Sequence, residues 1–200
     1  MYLPTRTMSE PPADEKLQVI KAGTAACRRY GPSKTNVADI ARLLGKSPAS
    51  LYRIFPSKAA IWDAIAGNFF ENDLHRIPTA RYELVGASAH LTDTVLGQHR
   101  LLLQALHGDS QMFNLIILAA GSNWPSFGRY RKRVHGVVRN IIRAGVETTE
   151  FASADVDAAA TCFCASLVAL WDPRLVGTWT SSLCGISAQE LVAFAVDALG

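Results

Sequence analysis

Apolar residues recur every three or four positions along most of this chain, which is the spacing of amphipathic helices. The strict alternation typical of strands is scarce, and the chain contains no Asn-Gly hairpin signal. Breaks in the pattern occur at Pro78, at His107-Gly108 and at Gly121. The pattern therefore predicts an all-α protein of about nine helices.

Two short helices joined by a tight turn are predicted around Gly45, which suits the left-handed conformation that ends a helix. Asn36 is a good N-cap for the first helix, and the carboxylate of Asp39 lies in its first turn. Ser47 caps the second helix, and Pro48 takes its first position, where the missing N–H costs nothing. This arrangement is a helix-turn-helix, whose second helix enters the major groove of DNA.

The residue types at the front of the second helix suit contact with DNA. Small side chains let the backbone approach base edges, and Ser50 and Arg53 offer hydrogen bonds to bases. Tyr52 and Lys58 suit phosphates, although a Tyr52 ring in the core between helices is an alternative. The predicted DNA contacts are Asn36, Lys46, Ser47, Pro48, Ala49, Ser50, Tyr52, Arg53 and Lys58.

The distribution of charge favours the same interpretation. Nine Lys or Arg residues and a single acid lie within residues 16–58, although the formal net charge of the chain is only +3. A concentration of basic charge suits a polyanion. Residues 59–200 mix both signs, as solvated helix faces do. The predicted partner is double-stranded DNA.

Several short motifs occur together in the first third of the chain. They are Val-Ile-Lys-Ala at 19–22, Tyr-Gly at 30–31, Asn-Val-Ala-Asp-Ile-Ala at 36–41, Gly-Lys-Ser at 45–47 and Leu-Tyr-Arg-Ile-Phe-Pro-Ser-Lys at 51–58. On these motifs, residues 17–70 resemble the N-terminal DNA-binding domain of the tetracycline-repressor (TetR) family. Lys46, Cys27 and Asn36 depart from the usual Val, aromatic and Thr of that family. The resemblance implies an all-helical homodimer that responds to a ligand and usually represses transcription.

The expected architecture is an N-terminal three-helix helix-turn-helix domain followed by a C-terminal helical domain for ligand binding and dimerisation. The segments are a flexible arm at residues 1–12, the DNA-binding domain at 13–58, a connecting helix at 59–76 and the ligand-binding and dimerisation domain at 77–200. We expect Ser153 to cap the next-to-last helix and Ser187 to cap the last one, with Glu190 completing a capping box.

The last two helices are poor in charge, since the segment that follows Ala158 holds only Asp172 and Arg174 as far as residue 185. A helix that is apolar on several sides must be buried by something. In the family the equivalent helices pair across a two-fold axis. We therefore expect Ala158–Trp171 and Glu190–Leu199 to form a homodimer contact.

The sequence predicts the effector site less specifically than it predicts the DNA-binding surface. Ligand sites are concave and mostly apolar, with a few polar groups, but helical core residues look the same in a sequence. The candidate lining residues are Leu102, His107, Phe113, Asn114, Ile117, Trp124, Phe127, Tyr130 and Phe163. They favour a small, hydrophobic effector, whose identity the sequence leaves open. The basic cluster Arg129, Arg131, Lys132 and Arg133 is either an anion site or a solvated helix face.

No cofactor, metal site or catalytic activity is expected. Cys162 and Cys164 lie two positions apart on a predicted helix and point in different directions, and no two histidines have ligand spacing. The four cysteines are expected to be buried reduced thiols, with redox sensing as the alternative. The chain shows no set of nucleophile, base and orienting group, and the spacing of Asp172 from the histidines does not indicate a dyad.

We expect a cytoplasmic protein with no membrane partner. The longest nearly apolar run, at residues 158–171, is shorter than the roughly twenty residues that span a bilayer. Residues 1–12 do not look like a signal peptide. Two functions stay open: a ligand-responsive repressor, released from a palindromic operator by its effector, and a DNA-binding dimer whose C-terminal domain makes only protein contacts.

Overall fold

A computed structural model describes residues 13–72, 74, 86–178 and 185–200. Three features predicted from the sequence lie outside these residues: the arm at 1–12, the break at Pro78 and Cys184. Within the described part of the chain the regular structure is helical, with no strand. The all-α prediction is confirmed.

The helices are numbered here in chain order. They are α1 Ala13–Tyr30, α2 Val37–Leu43, α3 Pro48–Ile54, α4 Lys58–Asn72, α5 Ala87–Gly108, α6 Ser110–Gly121, α7 Pro125–Glu147, α8 Val156–Ser166, α9 Val168–Trp171 and α10 Ala188–Asp197. Residues 176–178 are also helical. The helices α1 to α3 form a helix-turn-helix unit, and α4 leads from it into the remaining helices.

The caps predicted for the two short helices are confirmed. Asp39 N donates to Asn36 Oδ1 at 2.9 Å, and Asn36 N donates to Asp39 Oδ2 at 3.1 Å, so the two residues form a capping box. Gly45 has a φ of 63°, the left-handed conformation expected at the turn. Ser50 N donates to Ser47 Oγ at 3.3 Å and so caps α3. These local bonds set where α2 and α3 begin.

The first core lies between α1 and the two short helices, with α4 closing it. Leu51 and Phe55 are buried as the sequence predicts. At Gly23, α1 and α4 approach so closely that a Cβ would lie 2.4 Å from Ile65 Cδ1. The helix-turn-helix unit is therefore fixed to the middle of α4 by direct packing.

Polar contacts join this unit to the helices that follow. Arg28 Nε in α1 donates to Asp109 Oδ2 at 2.7 Å, just before α6. Ser126 N, in the first turn of α7, donates to Asp63 Oδ1 of α4 at 2.9 Å. Asp63 thereby caps α7 and links it directly to α4.

Two details of the C-terminal helices differ from the sequence prediction. Asp155, rather than Ser153, caps α8, because its Oδ1 accepts from the N–H groups of Asp157 and Ala158 at 3.0 Å each. The expected single helix to Trp171 is divided at Leu167 into α8 and α9. The capping box of α10, formed by Ser187 and Glu190, is confirmed.

Candidate DNA-binding and effector sites

The residues predicted to contact DNA lie on α3, in the turn before it, or at the N-terminal ends of α2 and α4. Ser50 and Lys46 are half-buried. The exposed ones are Asn36, Ser47, Pro48, Ala49, Tyr52, Arg53 and Lys58. Tyr52 is 46% exposed, so the alternative of a ring in the core is wrong.

A chain of polar contacts runs along the exposed side of α3. The hydroxyl oxygens of Ser47 and Ser50 lie 3.0 Å apart, and Arg53 Nη2 donates to Ser50 Oγ at 3.3 Å. Three groups able to bond to bases are thereby held in one row over two helical turns. This arrangement reduces the side-chain freedom that binding to DNA would remove.

The two lysines at the edges of this surface each have a neighbour. Lys46 Nζ lies 3.9 Å from Glu15 Oε1 of α1, a contact that is partly exposed and therefore weak. Lys58 Nζ lies 5.4 Å from the centre of the Trp62 ring, within range of a cation–π interaction. Both ammonium groups are accessible to a phosphate.

An open cleft of about 550 Å³ lies between α7 and the adjoining parts of α8 and α9. Phe127, Tyr130, Val134 and Trp171 supply much of its apolar wall. Its polar groups are Arg131, Lys132, His135, Thr161 and Asp172. The volume lies within the range of small-molecule sites, and the mixed lining matches their usual composition.

The charged side chains at this cleft are mainly basic. Asp172 is buried, and its carboxylate accepts from Arg174 Nη2 at 2.7 Å and from Arg174 Nε at 2.9 Å, so its charge is compensated. Arg131 and Lys132 of the predicted basic cluster are exposed at the mouth of the cleft. An anionic group on a ligand would be attracted to this end of the cleft.

Tyr130 connects the cleft to α4. Its hydroxyl donates to the Trp171 carbonyl oxygen at 3.1 Å, and burial raises the pKa of Tyr130 well above its ordinary value, so the hydroxyl keeps its proton at neutral pH. The ring stacks on Phe70 of α4. Arg133 Nη2 donates to the Phe70 carbonyl oxygen at 2.7 Å and so ties α7 to the same residue.

The nine residues predicted to line an effector site do not form one group. Phe127 and Tyr130 line the cleft, and Phe163 lines a second groove between α8 and α10. The others are placed elsewhere: Leu102 and Phe113 are buried core, Ile117 and Trp124 are half-buried, and His107 and Asn114 are exposed.

Most residues of the cleft wall were not predicted from the sequence, and Val134 and Trp171 are two of them. Trp171 carried a usable signal, since an aromatic residue at the end of an apolar run, next to Asp172, marks a change of environment. Val134 carried none, because a valine on the apolar face of α7 is indistinguishable from core.

The second groove, of about 490 Å³, lies on a surface that is short of polar groups. Cys162, Ala198 and Leu199 line it, and Phe194 beside them is 73% exposed. A phenylalanine with this exposure on an apolar face is typical of an interaction surface. We call the exposed apolar residues of α8 and α10, with this groove, the α8–α10 face.

The cysteines differ from one another. Cys27 is buried, and burial raises the pKa of its thiol. Burial raises the pKa of the Cys164 thiol to about 12, which keeps it protonated and unreactive. Cys162 is exposed, so the expectation that every cysteine is buried is wrong.

No group of three metal-ligating side chains occurs among the described residues. Nor does any helix in this part of the chain have the length and apolar character to cross a membrane.

Comparison with known proteins agrees with this architecture. Residues 19–65 match the family model "Bacterial regulatory proteins, tetR family", and residues 87–192 match "Tetracyclin repressor-like, C-terminal domain". None of the curated proteins compared with the chain matches it significantly. Two of its structural relatives, from Rhodococcus sp. and Mesorhizobium loti, are described as putative TetR-family transcriptional regulators.

Solved structures share the fold at low sequence identity. RolR without ligand is 18% identical, with a TM-score of 0.67 over 92% of this chain and 90% of that one. A regulator from Rhodococcus sp. is 19% identical, with a TM-score of 0.62 over 94% and 99% of the two chains. FadR from Bacillus halodurans, a regulator of fatty acid degradation, is 17% identical, with a TM-score of 0.61 over 94% and 96%. Since the two family models together span most of its length, the chain belongs to the TetR family of transcriptional regulators.

Proposed function

We propose that this protein is a repressor that binds a palindromic operator as a homodimer and is released by a small effector. The observation that carries the proposal is the row of polar contacts among Ser47, Ser50 and Arg53 along the exposed side of α3, within a strongly basic segment. A recognition helix needs such groups at its exposed side, and basic residues around it supply affinity for phosphates.

On this proposal α3 reads the operator and its surroundings hold the backbone. Pro48 and Ala49, at the start of α3, are small and exposed, and they suit contact with thymine methyl groups. Ser50 and Arg53 read base edges. Asn36, Tyr52 and Lys58, with Lys46 in the turn and Ser47 at the cap, hold phosphates. The DNA-bound protein would act in the bacterial cytoplasm.

The α8–α10 face is the proposed homodimer contact. Its exposed Phe194 and the groove beside it lie on one surface, so a two-fold axis places the ring of each copy against the groove of the other. The small residues Cys162 and Ala198 allow the helices to approach closely. A two-fold dimer implies a palindromic operator, with half-sites about one DNA turn apart or somewhat more.

The cleft between α7 and α9 is the proposed effector site. It has the size for a small ring compound, and its aromatic wall includes Phe127 and Tyr130. Its structural relative RolR has been crystallised with resorcinol, a compound of that size. A mainly apolar lining with few polar groups supports a small, hydrophobic effector for this chain also.

Release would follow from a shift of α4. A ligand that displaces Trp171 perturbs Tyr130 through their hydrogen bond, and the Tyr130 ring bears on Phe70 of α4. The Asp63 cap of α7 provides a second contact with the same helix. The effector must bind the released conformation more tightly than the DNA-bound one, since otherwise it shifts nothing.

One observation favours a second function, a DNA-binding dimer with no small-molecule sensor. Between α5 and α7 the described residues leave a cavity of only about 10 Å³, and Phe70, Phe127 and Tyr130 fill the adjoining core with their rings. Such a protein would use its C-terminal helices for protein contacts alone. A compound that releases the operator would distinguish the two functions.

The test is fluorescence-polarisation binding to the DNA directly upstream of this protein's own gene, over a salt series. Wild type should bind that DNA more tightly than a scrambled duplex, and Tyr52→Ala should lose most of the affinity. Tyr30→Ala is the matched control, because Tyr30 has similar exposure, 47%, but lies at the end of α1. If the protein bound every duplex with the same weak affinity, and that affinity depended only on the salt concentration, the proposal would be contradicted.

A further inference from the structure

Two buried polar side chains of α5 lack a hydrogen-bond partner. They are Thr94, through Oγ1, and Gln98, through Nε2, and the residues are only 4% and 3% exposed. They lie one turn apart on α5, so both project on the same side of that helix. Burying a polar group without a partner is costly, and native proteins keep few such groups.

Thr94 and Gln98 line the small cavity between α5 and α7. Its other walls are apolar and include Val95 and Val138. The volume of about 10 Å³ is near the lower limit for one water molecule or one hydroxyl group. The site therefore offers two unsatisfied polar atoms in an apolar enclosure.

The cavity adjoins the open cleft. Val134 and Trp171 line both spaces, so their side chains form the wall between them. The Gln98 side chain also lies beside the Tyr130 hydroxyl of the cleft wall, without a hydrogen bond from its Nε2. A small rotation of the Trp171 ring would join the cavity to the cleft.

We propose that Thr94 and Gln98 are the polar anchors of the effector site and that the effector is a small ring compound carrying a hydroxyl group. A hydroxyl donates its hydrogen to Thr94 Oγ1 and accepts from Gln98 Nε2, so it satisfies both atoms at once. The ring lies against Val134 and Trp171, which are apolar. This inference rests on the proposed function, because it assigns the ligand class of the proposed effector site.

The chemistry also explains selectivity. A site built around unpaired polar atoms rejects a ring of the same shape that lacks the hydroxyl, because those atoms then stay buried and unsatisfied. Discrimination between a hydroxyl and a methyl group is therefore the expected property. Hydrophobicity alone would give the opposite preference.

The probes are phenol and toluene, which differ by a hydroxyl in place of a methyl group. Binding to the full-length protein is measured by calorimetry and by tryptophan fluorescence. Wild type should bind phenol about tenfold or more tighter than toluene. In Thr94→Val and Gln98→Met, which keep the side-chain size, this preference should fall below about threefold while toluene binding is retained. Gln104→Met, an exposed position on the same helix, should keep the full preference.

Thermal unfolding without ligand gives an independent measurement. Because each variant removes an unpaired buried group, the Tm of Thr94→Val and of Gln98→Met should equal or exceed that of wild type. A lower Tm together with an unchanged preference for phenol would mean that the two groups only hold a buried water. Equal binding of the two probes, or no binding of either, would also overturn the proposal.

Operator binding is measured on the same samples without a ring compound. Intact operator preference with failed phenol recognition would refute this ligand class and leave the repressor proposal standing. Absent operator preference would refute the proposed function, whatever the result with phenol.

Discussion

The Tyr130 ring stacks on the Phe70 ring, with centroids 4.7 Å apart and planes inclined by 20°. Phe70 belongs to α4, which continues from the helix-turn-helix unit, whereas Tyr130 lines the cleft and bonds to the Trp171 carbonyl. This aromatic pair thus lies between the proposed effector site and the proposed DNA-binding surface. Its removal tests whether the two sites are coupled.

Phe70→Leu should weaken that coupling. The substitution keeps an apolar side chain but loses the stacked pair, so the free energy of unfolding should fall by about 1 kcal/mol in urea. Operator affinity without effector should change little, while the effector should release the operator less effectively in a polarisation titration. Phe69→Leu, a buried neighbour on α4, is the control. Equal loss of the effector response in both variants would show that the stacking of Tyr130 on Phe70 does not itself couple the two sites.

Gly145 and Gly136 of α7 should respond oppositely to alanine. A Cβ at Gly145 would lie 2.2 Å from Phe151 Cδ2 and 2.8 Å from Ala87 Cβ, whereas nothing lies within 4 Å of one at Gly136. Gly145→Ala should therefore lower the free energy of unfolding by about 1–3 kcal/mol through overpacking. Gly136→Ala should raise it by about 0.5–1 kcal/mol through helix propensity. Urea unfolding measures both, and a stabilised Gly145→Ala would contradict the close packing.

The carboxylate of Glu150 caps α5 from sixty-three residues away. Ser88 N donates to its Oε1 at 2.9 Å and Ala87 N to its Oε2 at 2.6 Å. The backbone N–H and hydroxyl of Ser88, with the N–H of Ala87, hold the pKa of Glu150 below its ordinary value. Because the folded-state pKa is lowered, the charged form stabilises the protein at neutral pH, and this contribution is lost as the pH falls through that pKa.

Glu150→Gln should therefore be less stable than wild type at pH 7, by about 1 kcal/mol, as for other lost helix caps. The difference should shrink as the pH falls below the unfolded-state value of about 4.3, and it should vanish once the wild-type carboxyl is protonated. Thermal unfolding over a pH series measures it. Glu147→Gln, an exposed position nearby, is the control. A difference in stability that does not change with pH would mean that the negative charge of Glu150 does not contribute to stability.

Much of the helix-turn-helix was predictable because its signals are local. Asn36, Gly45 and Ser47 act on residues within four positions, and the structure confirms each of them. Ser153 was misjudged for a similar local reason, since Asp155 competes for the same N–H groups with a charged acceptor. In this chain the N-cap of a helix was predicted correctly where one side-chain acceptor was available, and wrongly where two candidate acceptors lay two positions apart.

The remaining features depend on contacts between distant segments. The Asp63 cap of α7 and the Glu150 cap of α5 each join residues about sixty positions apart. No periodicity in the sequence predicts such contacts. The cleft exists because α9 ends beside α7, after the break at Leu167, which has no proline or glycine to predict it. Thr94 and Gln98 could be singled out only once their lack of partners was visible.

Phe194→Glu should convert a dimer into a monomer of 21.7 kDa. Phe194 is largely exposed in the single chain, so its replacement leaves the fold intact but places a charge on the α8–α10 face of each copy. Analytical ultracentrifugation at micromolar concentration measures the change. Leu118→Glu, at an apolar position of α6 that is 44% exposed, should remain dimeric. A monomeric wild type would contradict the proposed homodimer, and a dimeric Phe194→Glu would place the interface elsewhere.

Arg53→Ala should reduce binding to the operator more than binding to random DNA. Arg53 lies in the last turn of α3, and its bond to Ser50 Oγ holds the guanidinium over the exposed side of that helix. A base contact is worth about 1–3 kcal/mol at one position and vanishes on unrelated sequences, whereas a phosphate contact is lost equally on both. Polarisation titrations of operator and scrambled duplexes at one salt concentration separate the two cases. Arg100→Ala, an exposed arginine of α5, controls for net charge. Equal losses on both duplexes would assign Arg53 to the phosphate backbone and leave Ser50, with the small residues before it, to read the bases.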